Sequence, residues 1–166
     1  VYGLFTDNDK RKSAYFIVTK NGVIGTGKLK QTSATVADGG SNVIVLRYAD
    51  VLLMLAECYA EKDNVSKSNE YLNLIKKRAG IEEVSIGDVT LIKEEIALER
   101  RKELVNEGHR WFDLIRTGKA VEVMNAYFTR TPGYTGITIS ELNYVQPIPQ
   151  GQIDTDSATK QNEGYN

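Results

Sequence analysis

The eighteen residues from Glu99 to Arg116, ERRKELVNEGHRWFDLIR, hold the chain's only histidine, its only tryptophan and nine charged side chains. Carboxylates, guanidinium groups and an imidazole in one short stretch are the material of general acid–base chemistry. Their spacing points elsewhere. Arg100 and Glu103, Glu107 and Arg110, and Asp113 and Arg116 are opposite charges three residues apart, which pair along one face of a helix. Networks of this kind hold helices and loops in place and shift carboxylate ionisation without any catalytic role. A glycosidase needs two carboxylates across a cleft, about 5.5 Å or about 6.5–9.5 Å apart. Glu94 with Glu95, or Glu99 with Glu103, could be nominated, but nothing else in the sequence supplies the cleft. The chain is read as a non-enzyme.

Other chemistries fare no better. His109 has no companion His or Cys at ligand spacing, so no metal site is expected. No cofactor motif is present. There is no G-x-S-x-G nucleophile elbow, and Gly22 to Gly27 (GVIGTG) lacks the Lys-Ser/Thr of a phosphate loop and reads better as a hairpin. Trp111 and Phe112 sit beside an apolar seam and are expected to be buried. The aromatic residues nominated for a sugar are Tyr127, Phe128 and Tyr134, which flank the Gly/Pro-rich loop 129–136. Aromatic faces give an apolar platform to the C–H face of a sugar, and tyrosine adds a hydroxyl. The competing reading, left open by the sequence, is that these rings pin the loop to the helices.

The elements that would position these groups follow from periodicity. Within 166 residues, 41% are hydrophobic and 26% charged, as in ordinary globular domains. A single domain of this length buries roughly two-thirds of its unfolded surface. With 21 basic and 22 acidic residues, a net charge of −1 leaves no nucleic-acid footprint and no polybasic membrane patch. One cysteine, Cys58, excludes an internal disulfide framework. Residues 1–46 read as irregular with a hairpin: Ala14 to Thr19 as a strand, Asn21-Gly22 as the turn, then Val23 and Ile24. Asp38 to Ser41 (DGGS) is a looser break.

Residues 47–126 read as helical. A first helix from Arg47 to about Asp63 shows Val51, Leu52, Leu55, Ala56 and Tyr59 on one face. A second, from about Ser66 to Ala79, carries Leu72, Ile75 and Ala79, with Gly80 as a left-handed cap. A third begins at Thr90 as N-cap, with Leu91, Leu98 and Leu104/Val105 as its seam, Glu94 and Glu95 near its start and an interruption at Gly108. A short helix from Lys119 to Ala126 precedes a looping tail, 127–166. The expected fold is all-α, with helical hairpins of tetratricopeptide size, long loops and one small β-hairpin.

Five segments, in order, carry a resemblance to a known family. They are Asp9-Lys10-Arg11; Arg47 to Glu57 (RYADVLLMLAE); Asn73, Ile75, Lys76, Arg78, Ala79 and Gly80; the pattern Glu99, Arg100, Arg101, Glu103, Glu107, Gly108, Arg110, Asp113, Leu114 and Arg116; and Pro147 to Pro149 with Gln161 to Tyr165. The chain resembles the C-terminal portion of the SusD/RagB family of outer-membrane lipoproteins. Thr117, Asp156-Ser157 and Glu163 depart from its usual Trp, Asn-Pro and Pro. The resemblance implies non-catalytic binding of an oligosaccharide or polysaccharide for nutrient uptake, with a SusC-like TonB-dependent transporter as partner. It also implies a surface-exposed lipoprotein of Bacteroidetes whose signal and acylated cysteine lie upstream, so that this chain is a fragment. The alternative is a helical-repeat scaffold that grips the transporter, with the glycan site in the missing N-terminal part.

Overall fold

The computed structural model of the chain describes residues 1–28 and 44–165; the DGGS break at 38–41 lies outside them. Seven α-helices and one two-stranded sheet are present among these residues. The chain divides into two compact units, Val1–Arg110 and Trp111–Asn166.

In the first unit, a short helix α1 (Arg11–Tyr15) runs into β1 (Phe16–Val18), which pairs antiparallel with β2 (Ile24–Thr26). The turn is the Asn-Gly one: Gly22 takes φ +78°, its N–H donates to the Thr19 carbonyl at 2.9 Å, and Thr19 N–H donates to Val23 at 2.9 Å. The strand begins two residues later than its composition suggests. The Asp9 carboxylate and carbonyl accept from the N–H groups of Arg11 and Lys12, starting a helical turn that Ala14 and Tyr15 complete.

Helices α2 (Tyr48–Glu61) and α3 (Val65–Ala79) form the expected hairpin, and α4 (Val89–Glu103) packs against both. Asn64 caps α3 by accepting from Lys67 N–H at 3.1 Å. Gly80 ends it at φ +75°, with Gly80 N–H donating to Lys77 and Ile81 N–H to Lys76. This is the six-to-one, five-to-two closure that favours glycine. The N-cap of α4 is Asp88, not Thr90: its carboxylate accepts from Leu91 N–H at 2.9 Å.

Which faces are buried departs from the sequence expectation twice. In α2 the core residues are Leu52, Leu53, Ala56 and Ala60, while Val51 is exposed. In α4 they are Ile92 and Ile96, fully buried, whereas Leu91 and Leu98 are 56% and 37% exposed. Both helices carry more apolar residues than one stripe needs, so periodicity leaves the facing angle undetermined. The Ile92/Ile96 row continues at helical spacing into Glu99 and Glu103, which are also buried. A buried face that ends in carboxylates is hard to recognise as a core seam.

The chain leaves α4 at Leu104, passes through Asn106 (φ +63°) and Gly108 (φ +82°), and restarts as α5 (His109–Arg116), so the interruption at Gly108 is present. The second unit adds α6 (Ala120–Arg130), a 3-10 turn at Glu141–Tyr144 and α7 (Gln150–Thr155). α6 runs four residues beyond the expected Ala126. It stops at Thr131, which is extended (φ −104°, ψ 116°) as the residue before Pro132 must be. Phe112, expected to be buried, is 70% exposed. It lies on the side of α5 opposite the buried Leu114, because two residues along a helix is over half a turn.

Ile92→Ala should lower the unfolding free energy by about 2–5 kcal/mol, while Leu91→Ala should change it by less than about 0.5 kcal/mol. Urea denaturation of the two variants measures the difference; equal losses would place the seam where periodicity alone put it.

Candidate functional site

The conspicuous charged stretch becomes a buried ion cluster in the first unit. Glu99 and Glu103 are fully buried on α4. Arg11 grips Asp9 in a fork, Nε to Oδ1 at 2.9 Å and Nη2 to Oδ2 at 2.8 Å, while its Nη1 donates to Glu99 and to Glu103 Oε2 at 2.9 Å. Arg47, just before α2, donates to Glu103 Oε1 at 2.5 Å, to the Glu103 carbonyl at 2.6 Å and to Glu107 Oε2 at 2.7 Å. Arg78, near the end of α3, reaches Glu103 Oε2 at 2.5 Å. The Tyr15 hydroxyl lies 3.3 Å from Glu103 Oε1.

Lys28 completes the cluster. Its Nζ pairs with Glu107, donates to the carbonyls of Glu103 (2.5 Å) and Val105 (3.2 Å), and sits 3.9 Å from the centre of the Tyr15 ring. A cation at the last carbonyls of α4 also complements the negative end of that helix. The aromatic cover on Arg11 is Phe5, whose ring lies 5.7 Å from the guanidinium carbon and stacks edge-on against Phe16.

The sequence expectation of opposite charges paired three apart is thus largely replaced by tertiary pairing. Asp113 and Arg116 do pair at 2.9 Å, as does Glu99 with Lys102 at 3.0 Å. Glu103 and Glu107 instead draw their cations from the N-terminal segment, the start of α2 and the end of α3, and Arg100 lies 2.8 Å from Asp50 of α2. Burial opposes ionisation of Glu103, yet hydrogen bonds from Arg47 and Arg11 outweigh it and hold its carboxyl down at about 2. Glu107 is lowered in the same way: burial is overcome by Arg47 and Lys28. Burial also depresses Lys28, and the adjoining Arg47 charge acts in the same direction. These acids are committed to arginine and lysine, so Glu99 and Glu103 make no open pair across a cleft. Glu95, also nominated, pairs with Lys76 at 2.5 Å.

The nominated aromatics lie in the second unit and come together. Tyr127 and Phe128 are on the last turns of α6, and Tyr134 is on the loop that follows. Ring centroids are 5.8 Å apart for Tyr127 and Phe128, 5.9 Å for Tyr127 and Tyr134, and 5.6 Å for Phe128 and Tyr134. Tyr127 and Tyr134 are 42% and 41% exposed, and Phe128 is half-buried. The loop is tied to the helix by its backbone too. Thr131 Oγ1 donates to the Tyr127 carbonyl at 2.7 Å, and Tyr134 N–H donates to Thr131 at 3.1 Å. The ring contacts and these hydrogen bonds tie the loop to the end of α6.

Sequence reasoning missed Asn125. Its side-chain amide donates to the Ile139 carbonyl at 3.0 Å and accepts from Ile139 N–H at 2.8 Å, clamping the far side of the loop. The available signal was an asparagine inside a helix, where it is a poor helix former unless its side chain is used. Trp111 meets Tyr144 edge-on, with centroids 6.2 Å apart. Among the described residues no group of three or more His, Cys, Asp or Glu could hold a metal ion.

Comparison with known proteins adds an independent line. The SusD family model matches residues 4–165. Two SusD-like proteins of Formosa agariphila are similar: one is 39% identical over 93 residues, 51% of this chain and 18% of that protein. The other is 32% identical over 131 residues, 75% of this chain and 24% of that protein. The chain thus spans a quarter or less of the length of these relatives. Among solved structures, surface glycan-binding protein A from Bacteroides thetaiotaomicron in complex with laminarihexaose superposes with a TM-score of 0.74. It is 28% identical, and the match covers 97% of this chain and 39% of that one. A SusD superfamily protein from Bacteroides vulgatus gives a TM-score of 0.65 at 30% identity, over 75% of this chain and 28% of that one.

The sign of the pH dependence follows from the lowered Glu103. A carboxyl held below its ordinary 4.5 contributes stability in full above that value and loses it as pH falls toward about 2. Glu103→Gln should cost about 3–5 kcal/mol at neutral pH by leaving buried cations short of a counter-charge. It should also make the acid limb shallower, though Asp9 and Glu107, also lowered, keep part of it. Urea titrations from pH 7 to pH 2 check both; an acid limb as steep as the unmodified chain's would remove Glu103 from the account.

Proposed function

The chain belongs to the SusD family, and on that premise we propose that it serves non-catalytic glycan binding for nutrient uptake at the outer membrane. Its partner in this reading is a SusC-like TonB-dependent transporter, and its location is the cell surface, held there as a lipoprotein. The observation that carries the reading within these residues is the ring cluster of Tyr127, Phe128 and Tyr134: two solvent-facing phenol rings, one at the end of α6 and one on the following loop, which hydrogen bonds fix. Fixed platforms lose little freedom on binding, which favours affinity for a flexible oligosaccharide. A related fold with laminarihexaose bound supports the choice of ligand class. The commitment of Glu99 and Glu103 to Arg11 supports binding without turnover. Among the described residues no helix is long and apolar enough to cross a membrane, and a lipid anchor requires none.

A scaffold reading, in which this region grips the transporter and the glycan site lies elsewhere in a longer protein, has its own support. Val45, Leu46, Tyr48, Val51 and Met54 leave an apolar strip exposed before and along α2, and strips of this kind mark contact surfaces.

Affinity electrophoresis of the chain in gels containing a panel of polysaccharides separates the two. The glycan reading expects retardation by at least one polymer, reduced in Tyr134→Ala by loss of a stacking platform of about 0.5–1.5 kcal/mol. A chain that circular dichroism shows to be folded, yet that no polymer retards, would leave the scaffold reading in place.

A further inference from the structure

We infer that Asn21, at the tip of the β1–β2 hairpin, is a site of spontaneous covalent modification, where the side-chain amide is lost and the main chain rearranges to isoaspartate. The chemistry needs a free asparagine amide and a following backbone nitrogen that can turn toward it. Among the described residues, Asn8, Asn21 and Asn106 are the asparagines whose side chains make no hydrogen bond. Asn64 and Asn143 cap turns, Asn69, Asn73 and Asn125 clamp loops, and Asn162 donates to the Gln146 carbonyl at 2.7 Å.

The residue that follows separates the three. Asn8 precedes Asp9, whose carboxylate is gripped by Arg11 and whose N–H donates to the Thr6 carbonyl at 3.2 Å. Asn106 precedes Glu107, held by Arg47 and Lys28 through its carboxylate and donating its N–H to Leu104 at 3.1 Å. Each of those nitrogens is fixed through its own side chain. Asn21 precedes Gly22, which has no side chain to anchor, and nothing stands within 4 Å of where its Cβ would be. One hydrogen bond, to the Thr19 carbonyl at 2.9 Å, restrains its nitrogen. The hairpin around it has three residue pairs, and both strands are largely exposed. A two-stranded hairpin of this size is marginal in water, so the tip belongs to the parts of a fold that open most easily.

In the open tip the Gly22 nitrogen loses its proton and attacks Cγ of Asn21. The N–Cγ bond forms, the Cγ–Nδ2 bond breaks, and ammonia leaves with a proton, closing a succinimide ring. Water then opens the ring. Addition at Cγ gives aspartate, and addition at the main-chain carbonyl carbon gives isoaspartate, whose chain runs through Cβ and Cγ. The longer path no longer fits the turn, so the bonds from Gly22 N–H to Thr19 and from Thr19 N–H to Val23 are lost. The base of the hairpin is held independently, by Gly27 N–H on the Tyr15 carbonyl at 2.8 Å and by Lys28 on Glu107. Damage therefore stays at the tip.

The test is incubation of the folded chain at mildly alkaline pH, with peptide mapping by mass spectrometry and methyl transfer by a protein isoaspartyl methyltransferase. Asn21 should lose its amide at least about tenfold faster than Asn8 or Asn106, a barrier difference of about 1.4 kcal/mol. The rate should rise with pH, because the attacking nitrogen must be deprotonated. Asn21→Gln, an exposed and unbonded position, should remove the methyl acceptance, since glutamine closes a larger ring more slowly. In the modified chain hydrogen exchange should speed up about tenfold at the Thr19 amide and stay unchanged at Gly27. Equal rates at the three asparagines would overturn the inference, as would conversion of Asn21 only after urea has unfolded the chain. Unchanged Thr19 exchange in the isoaspartate form would overturn the assigned opening of the tip.

Discussion

Two carboxylates with no access to water govern the architecture of the first unit. Glu99 and Glu103 lie on the face of α4 that the apolar Ile92 and Ile96 begin. An uncompensated buried charge of this kind costs several kcal/mol, so cations have to be brought to it. They arrive from distant parts of the chain: Arg11 from 88 and 92 residues away, Arg47 from 56 and Arg78 from 25. The placement of the N-terminal segment, the start of α2 and the end of α3 follows from that requirement. Lys10 N–H donates to the Ala79 carbonyl at 3.0 Å, closing the same junction through the backbone. A Cβ on Gly80 would stand 2.9 Å from Lys10 Cε, a contact the exposed lysine can relieve by moving, so it is the positive φ that calls for glycine there.

The irregular segments are held by a second device, the side-chain amide used as a short piece of β-ladder. Asn73 donates to the Val84 carbonyl and accepts from Val84 N–H, both at 2.8 Å. Asn69 does the same to Ile86, Asn125 to Ile139 and Gln161 to Ile148. Backbone polar groups outside helices and sheets must find partners when partly buried. An amide satisfies one donor and one acceptor at once. Each unit uses the device internally, which gives long loops a defined path without secondary structure of their own.

The two clusters differ in exposure and in charge. The acids of the ionic one are closed to solvent and matched by guanidinium and ammonium groups, although Arg78 is half-exposed, and this suits the cluster to holding helices. The ring cluster is partly open to solvent and carries no charge of its own. Cys58, although set in an apolar helical pattern, is exposed, a further sign that α2 presents an apolar side outward as well as inward.

Much of this was legible in the sequence, and the reasons are local. The Asn21-Gly22 turn, the α2–α3 hairpin, the Leu72/Ile75/Ala79 stripe and the Gly80 cap each depend on the conformational preferences of a few adjacent residues, so short motifs suffice to read them. The family resemblance was legible for a related cause: its five segments include the cluster residues Asp9, Arg11, Arg47, Arg78, Glu99, Glu103 and Glu107. What the sequence left open was the facing angle of α2 and α4, the partners of the charged run, and whether Tyr127, Phe128 and Tyr134 meet. Helical periodicity gives neighbours three and four residues apart, and it therefore offered pairs within α4. The actual partners were chosen by burial, because a carboxylate removed from water takes whichever cation the tertiary fold brings to it, and sequence separation does not enter that energy.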